Sequence, residues 1–527
     1  MSSPLPRLLI ALVLCTCARA RAADNFAFSN PPGPHAVGVR IVQQYDRTRL
    51  FKPLVDLDTG DPVVGERARP IQTIVWYPAA RGGKPVIYQD YLDTIATEDD
   101  FTRTVGEVKR RTDTLVNDNA GTRREAVLRD ISSPMRAVRD ARAEAGKYPV
   151  VIYAPSYSSD PTENADLCEY LASHGYIVLS SPSMGAHTRA MTIDHEGVEG
   201  QAADISYLIA YAASLPQADI SKVAAMGWSW GGLANVVAAA KDARIKALVS
   251  LDGSIRYFPR FVDGGKEALR YVTPARVAVP MLFVGARPGT VEALNSAKTS
   301  TEYSFLNQMT YSDVYVLSMM PMKHADFSSF HLRMATDEEY RDHERDYTRA
   351  EVQLAHSWVA RYTRAFLDAY LKKDAGGLAF INNTPTANKA PPHMIAVDVR
   401  RSKGEPAPTR ENFVARLATE GFDRAIPLYD HFAAQPGAFT LDANQIEAWG
   451  EALYAMDKME QSREVFRLGT HLYPDKVFLQ ADLGELEAKS GQTETAVETY
   501  RRVLELDPNN ADAAKYLKEH AAVVSTP

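Results

Sequence analysis

Ser229 is the residue on which a reaction could turn. It sits in Val223-Ala-Ala-Met-Gly-Trp-Ser-Trp-Gly-Gly232, a G-x-S-x-G pattern after a short apolar run and before a helical one. A strand that turns sharply into a helix leaves its apical side chain exposed, and the flanking glycines let the backbone pack closely around it. A serine hydroxyl is a weak nucleophile alone. It needs a histidine to take its proton and a carboxylate to orient that histidine. A glycine-rich turn without chemistry would carry the same letters, so the partners decide the matter.

Asp252 closes Ala247-Leu-Val-Ser-Leu-Asp252, one helix and one strand beyond the serine. The competing acid is Glu292, in the loop after Met281–Gly285; position at a strand end favours Asp252. His324 follows the strand-like Val314–Ser318 and is the expected base, in the order serine, acid, histidine. His331, His343 and His356 lie in a polar helical stretch and are expected at the surface. His187 and His195 flank a polar loop, and no cluster has metal-ligand spacing, so neither metal nor organic cofactor is expected. An oxyanion would need two backbone N–H donors. Trp230, next after the serine, supplies one, and the loop Pro155–Ser158 after Val150–Ala154 the other. Trp228, Trp230 and Tyr157 either line an apolar pocket for acyl or aryl groups or simply pack the turn.

These residues need a scaffold. Ile71–Tyr77, Pro149–Ala154, Ile177–Ser181, Val223–Gly227, Ala247–Leu251, Met281–Gly285 and Val314–Ser318 read as strands. Helical patterns at Asp166–His174, Ala202–Leu215, Leu233–Asp242 and Glu351–Lys372 alternate with them, which implies a doubly wound, mostly parallel α/β sheet over residues 24–380. Residues 91–145 interrupt the alternation with a charge-rich, mostly helical insertion, a lid or a surface decoration. Residues 381–405, rich in proline and asparagine, read as a linker. Cys168 reads as a buried small hydrophobe.

Arg7, the apolar run Leu8–Cys17 and Ala20-Arg-Ala22 have the order of a secretory signal peptide over residues 1–22, too short to span a bilayer. Export to the periplasm or medium is expected. The 527-residue chain has 59 basic against 66 acidic residues and no basic block, which argues against nucleic-acid binding. Residues 406–527 carry an internal period: Trp449, Gly450, Ser462, Phe466 and Pro474 recur as Leu483, Gly484, Ala496, Tyr500 and Pro508. The 34-residue period resembles the tetratricopeptide repeat, which implies a small all-α domain of helical hairpins whose face could hold a protein or peptide partner.

Lys147-Tyr-Pro-Val-Val-Ile-Tyr-Ala-Pro-Ser-Tyr157, Leu171-Ala-Ser-His-Gly-Tyr-Ile-Val178, the serine turn, Leu251-Asp252 and His324-Ala-Asp-Phe327 together resemble the α/β-hydrolases, in the branch of platelet-activating-factor acetylhydrolases and dienelactone-hydrolase-like proteins. The resemblance spans roughly residues 70–375. It implies Asp252 as the acid and the Tyr157 amide as the second oxyanion donor. Bacterial dienelactone hydrolases carry a cysteine where this chain has Ser229, so their substrate does not carry over. The elbow is also similar to that of polyester hydrolases and cutinases, whose acid comes from the later loop that here lacks aspartate. The expectation is a serine hydrolase acting on carboxylic esters, small-molecule or lipid-like, through an acyl-enzyme. Two rivals are an amidase or peptidase using the same residues, and an idle hydrolase fold whose repeats recruit a protein.

Overall fold

A computed structural model of the chain describes residues 26 and 28–520 apart from 57–58, 257, 263–265, 288–303, 337–338, 341–346, 405–407 and 436. The signal peptide expected at 1–22, Glu292 and His343 lie outside the described residues.

Alternating β-branched runs build one eleven-stranded sheet in the order β11-β10-β9-β8-β7-β5-β6-β2-β1-β4-β3. The seven strands expected from sequence are β2 (Ala68–Ala79), β5 (Tyr148–Ala154), β6 (Ile177–Ser180), β7 (Ala218–Trp228), β8 (Ile245–Leu251), β9 (Met281–Ala286) and β10 (Val314–Met319). From β6 through β5 and β7 to β10 all pairings are parallel. Because strand side chains alternate between faces, each strand feeds two cores. Val151, Tyr153, Ala224 and Met226 pack on one face with the helices Ala165–Ser173 and Arg349–Leu371. Val150, Ile152, Val223 and Ala225 pack on the other with His195–Ala212 and Trp230–Lys241. This is the α/β-hydrolase architecture, with the chain reversing its winding between β5 and β7, where ligand crevices form in open α/β sheets.

The four remaining strands extend this reading. β1 (Ala36–Leu50) pairs antiparallel with β2, and its many polar, half-exposed residues hid it from the apolar pattern. The insertion at 91–145 is not purely helical. Its helices Tyr88–Ile95, Val105–Ala120 and Arg124–Ile131 give way to β4 (Pro134–Arg139), which pairs with β1 and with β3 (Pro85–Ile87). Nor is it a surface decoration, for Tyr91, Leu92, Val116, Val127 and Ile131 sit in the sheet's core, and Tyr91 bridges Trp76 and Glu169. The segment expected as a linker is also corrected. Ile395–Arg400 forms β11, antiparallel to β10, because its alternating Ile-Ala-Val-Asp-Val-Arg suits a half-exposed edge. His356, expected at the surface, is buried beside Phe26 and Phe28. Cys168 is buried too, and burial drives its thiol well above the ordinary range.

The chain divides into two units, the first running to Gly404 and the second beyond it. In the second, helices open at Ala443, Val477 and Ala511, and their partners at Met459 and Thr493. The offset between equivalent starts is 34 residues. Gly450 and Gly484 let the aromatic rings of Phe466 and Tyr500 approach the first helix of each pair closely; a Cβ on Gly484 would stand 3.2 Å from the Tyr500 ring. Among the described residues, no helix is long and apolar enough to cross a membrane.

Candidate active site

The strand β7 ends at Trp228 and the helix Trp230–Lys241 begins one residue beyond Ser229, so the serine alone makes the turn. Its φ is +53°, in the left-handed region that a non-glycine residue rarely occupies. Surrounding bonds hold it there. Ser229 N–H donates to the Leu251 carbonyl (3.0 Å), and the Ser229 carbonyl accepts from the N–H groups of Gly232 (3.0 Å) and Ser254 (2.8 Å). The glycines are required by close approach: a Cβ on Gly227 would stand 2.6 Å from the Gly231 carbonyl carbon, and one on Gly231 would collide with the Ala154 carbonyl.

Asp252, just past β8, is also left-handed (φ +43°) and wholly buried. Its N–H donates to the Val284 carbonyl (2.6 Å), and its Oδ1 accepts from the Ala286 N–H (2.9 Å). The other oxygen, Oδ2, lies 2.6 Å from His324 Nδ1. His324 Nε2 in turn lies 2.9 Å from Ser229 Oγ. Three residues from the ends of β7, β8 and β10 thus form one relay at the carboxyl edge of the sheet. The imidazole is half-exposed while its carboxylate partner is sealed from water. In that arrangement the carboxylate fixes the tautomer, leaving Nε2 to face the hydroxyl as a proton acceptor.

Trp228 and Trp230 have different surroundings. Trp228 leans on the imidazole, rings 5.4 Å apart, and donates from its indole nitrogen to the His324 carbonyl (3.1 Å). Trp230 is buried among Tyr157, Phe258 and Phe261, packing the turn. Its backbone N–H lies in the first helical turn, where amides lack intrahelical acceptors. Tyr157 follows β5, its ring partly exposed and its hydroxyl donating to the Met191 carbonyl. Among the described residues, no acceptor pairs with the Tyr157 amide.

Several residues around this loop gave no sequence signal. Arg189 donates to the carbonyls of Ser158 (3.1 Å), Ser183 (3.1 Å) and Ser159 (3.3 Å). Glu98, from the insertion, grips Arg189 at 2.9 Å, and burial lifts its carboxyl well above the ordinary range. Glu163 bonds the loop from beneath through Ser156. Nothing in their local sequence separates these from other polar residues, because the contacts that define them come from distant segments. The other histidines stand apart from the relay: His187 is exposed, His195 bonds the Glu267 carbonyl, and His331 approaches Asp326. Among the described residues, no group of three or more His, Cys, Asp or Glu side chains is arranged to hold a metal ion.

A family model described as Chlorophyllase matches residues 122–400. No curated protein matches the chain. Among solved structures, a ferulic acid esterase from Streptomyces cinnamoneus is similar at 17% identity and a TM-score of 0.48, covering 71% of this chain and 99% of that one. The family match takes in the serine turn, Asp252 and His324 and spans just over half of the 527 residues. The chain therefore belongs to the Chlorophyllase family and is an ester hydrolase of the α/β-hydrolase type.

Proposed function

We propose that this ester hydrolase is an exported serine enzyme that cleaves carboxylic esters through an acyl-enzyme on Ser229. The observation that carries the reading is the unbroken relay from buried Asp252 through His324 to Ser229 Oγ, at 2.6 and 2.9 Å. Ser229 Oγ attacks the ester carbonyl as His324 Nε2 takes its proton, and the carbonyl oxygen becomes an oxyanion facing the Trp230 and Tyr157 amides. Collapse of this adduct breaks the bond to the alcohol, which leaves with the proton from His324. Water then gives its proton to His324, attacks the acyl group and releases the acid, restoring Ser229. Asp252 stabilises the imidazolium at both steps without accepting a proton itself. Trp228 against His324 and the partly exposed Tyr157 ring suit an apolar acyl or aryl group. The finer kinship to platelet-activating-factor acetylhydrolases, export through residues 1–22, and a tetratricopeptide-type second unit able to hold a peptide are parts of the same reading.

The test is labelling by a fluorophosphonate, read as intact mass, beside hydrolysis of short-chain nitrophenyl esters. Wild type should gain one adduct, and folded Ser229→Ala should lose both labelling and turnover. A wild type that hydrolyses the ester without labelling would overturn the serine mechanism. Matched ester and amide substrates decide the leaving group; faster amide turnover would make the protein an amidase.

A further inference from the structure

We propose that Glu163 is the positioning residue of the oxyanion site, holding the Tyr157 amide in place and tying its loop to the segment that carries His324; this rests on the serine mechanism above. Glu163 lies in the turn Pro161–Asn164 and is 3% exposed. Among the described residues, no Lys, Arg or His forms an ion pair with it. Its partners are donors from the loop and the strand before it. Oε1 accepts from the Ser156 N–H (2.9 Å) and the Tyr153 hydroxyl (2.5 Å), and Oε2 from the Ser156 hydroxyl (2.8 Å). A buried carboxyl without a cation is a poor way to stabilise a core. It is a good way to fix a loop.

Ser156 precedes Tyr157, so its carbonyl shares a peptide plane with the Tyr157 N–H. That carbonyl accepts from the Ser159 N–H at 3.2 Å. In a trans peptide C=O and N–H point in opposite directions, so a carbonyl turned toward Ser159 aims the Tyr157 N–H the other way. With Ser156 held at its amide, its hydroxyl and its carbonyl, little freedom remains for the donor. The same residue reaches the histidine's segment. The Glu163 carbonyl accepts from the hydroxyls of Ser328 (3.0 Å) and Ser329 (3.3 Å), directly after the turn His324–Phe327. Neighbouring Asn164 repeats the link, donating to the Tyr153 hydroxyl (2.8 Å) and accepting from the Ser329 N–H (3.3 Å).

The charge setting fits. Burial raises the Glu163 carboxyl to about 7, hydrogen bonds from Ser159, Tyr153 and Ser156 restrain the rise, and Asp160 adds to it. Tyr153 and Cys168 also face it, both held neutral by burial. As a carboxylate, the form that prevails above about pH 7, it can accept every donor aimed at it. Protonation, or replacement by an amide, adds hydrogens to a site already crowded with them and loosens Ser156.

The experiment compares full-length wild type, Glu163→Gln and Ser156→Ala in nitrophenyl-ester kinetics and in binding of a trifluoromethyl ketone, whose adduct carries an oxyanion. Glu163→Gln should lower kcat by about 10- to 100-fold and weaken the inhibitor by about the same factor, with KM little changed. Ser156→Ala should move kcat and inhibitor affinity together by a few-fold. A general packing defect would instead lower thermal stability without a matched loss of kcat and inhibitor binding. Unchanged kcat and inhibitor affinity in folded Glu163→Gln would overturn the assignment. Should that variant not fold, the same null result in Ser156→Ala overturns it. Failure of wild type to take the fluorophosphonate at Ser229 would refute the serine mechanism instead, which separates the two failures.

Discussion

In the first unit, charged groups are buried in bonded sets that join distant parts of the chain. Arg69 grips Asp204 at 2.6 Å, Arg333 lies between Asp130 (2.7 Å) and Asp166 (2.8 Å), and Glu169 receives the Tyr91 hydroxyl at 2.6 Å. In the second unit, neighbouring helices meet through a glycine and an aromatic ring, as Gly450 meets Phe466 and Gly484 meets Tyr500. Its core is mainly Leu, Ile, Val and Phe. The contrast teaches what each interior is for. Apolar stacking between sequence neighbours needs only shape, and it repeats. A reaction centre needs loops held to fractions of an ångström, and directional bonds do this better than apolar contact.

The contrast can be broken most severely at Asp252. Replacing it with Asn should leave fold and melting temperature nearly unchanged and lower kcat by about 10⁴-fold, since the amide no longer holds the right tautomer. Steady-state kinetics on a nitrophenyl ester checks this, and a loss below about tenfold would mean that another acid serves His324.

A smaller effect should appear in acid. Burial, with help from Arg333 and against the pull of Asp166 and of a hydrogen bond that the ring donates to the Phe327 backbone, lowers the His356 imidazole to about 4. An unfolded histidine titrates near 6.5, so below that pH the unfolded chain binds a proton the native chain refuses. The contribution of His356 is complete above about pH 6.5 and fades as pH falls toward 4, on the order of 3 kcal/mol in all. Thermal melts across this range should show the first unit of His356→Phe losing less stability than wild type. Parallel slopes would place the acid sensitivity elsewhere.

The smallest change sharpens the division between units. Gly450→Val would press a side chain into the Phe466 ring and destabilise the second unit by about 1–3 kcal/mol. Calorimetry should show one transition moving down while ester turnover at moderate temperature stays at the wild-type rate. A parallel loss of kcat would tie the repeats to catalysis.

Much of the frame was legible before any coordinates. β5, β7, β8, β9 and β10 announce themselves as short apolar runs because both faces of a central strand are buried. β1 and β11 did not: β11 is an edge strand, β1 is paired on its second side only at Val37–Val39, and the polar residues both carry resemble those of loops. His356 shows the same limit from inside. A polar residue in a charged helix reads as exposed until Phe26 and Phe28, from the other end of the chain, cover it.

By itself the sequence determined what is local: the strand–serine–helix turn, its glycines, the 34-residue helical period, and the strand ends that carry Asp252 and His324. Tertiary structure alone decided how those ends converge. His324 meets Ser229 across 95 positions and Asp252 across 72, and Glu163 meets Ser328 across 165. Local turns are written in the preferences of adjacent residues, which a sequence displays directly. Contacts over such separations depend on which strands lie side by side and on where each loop is held, and only the packed sheet specifies that.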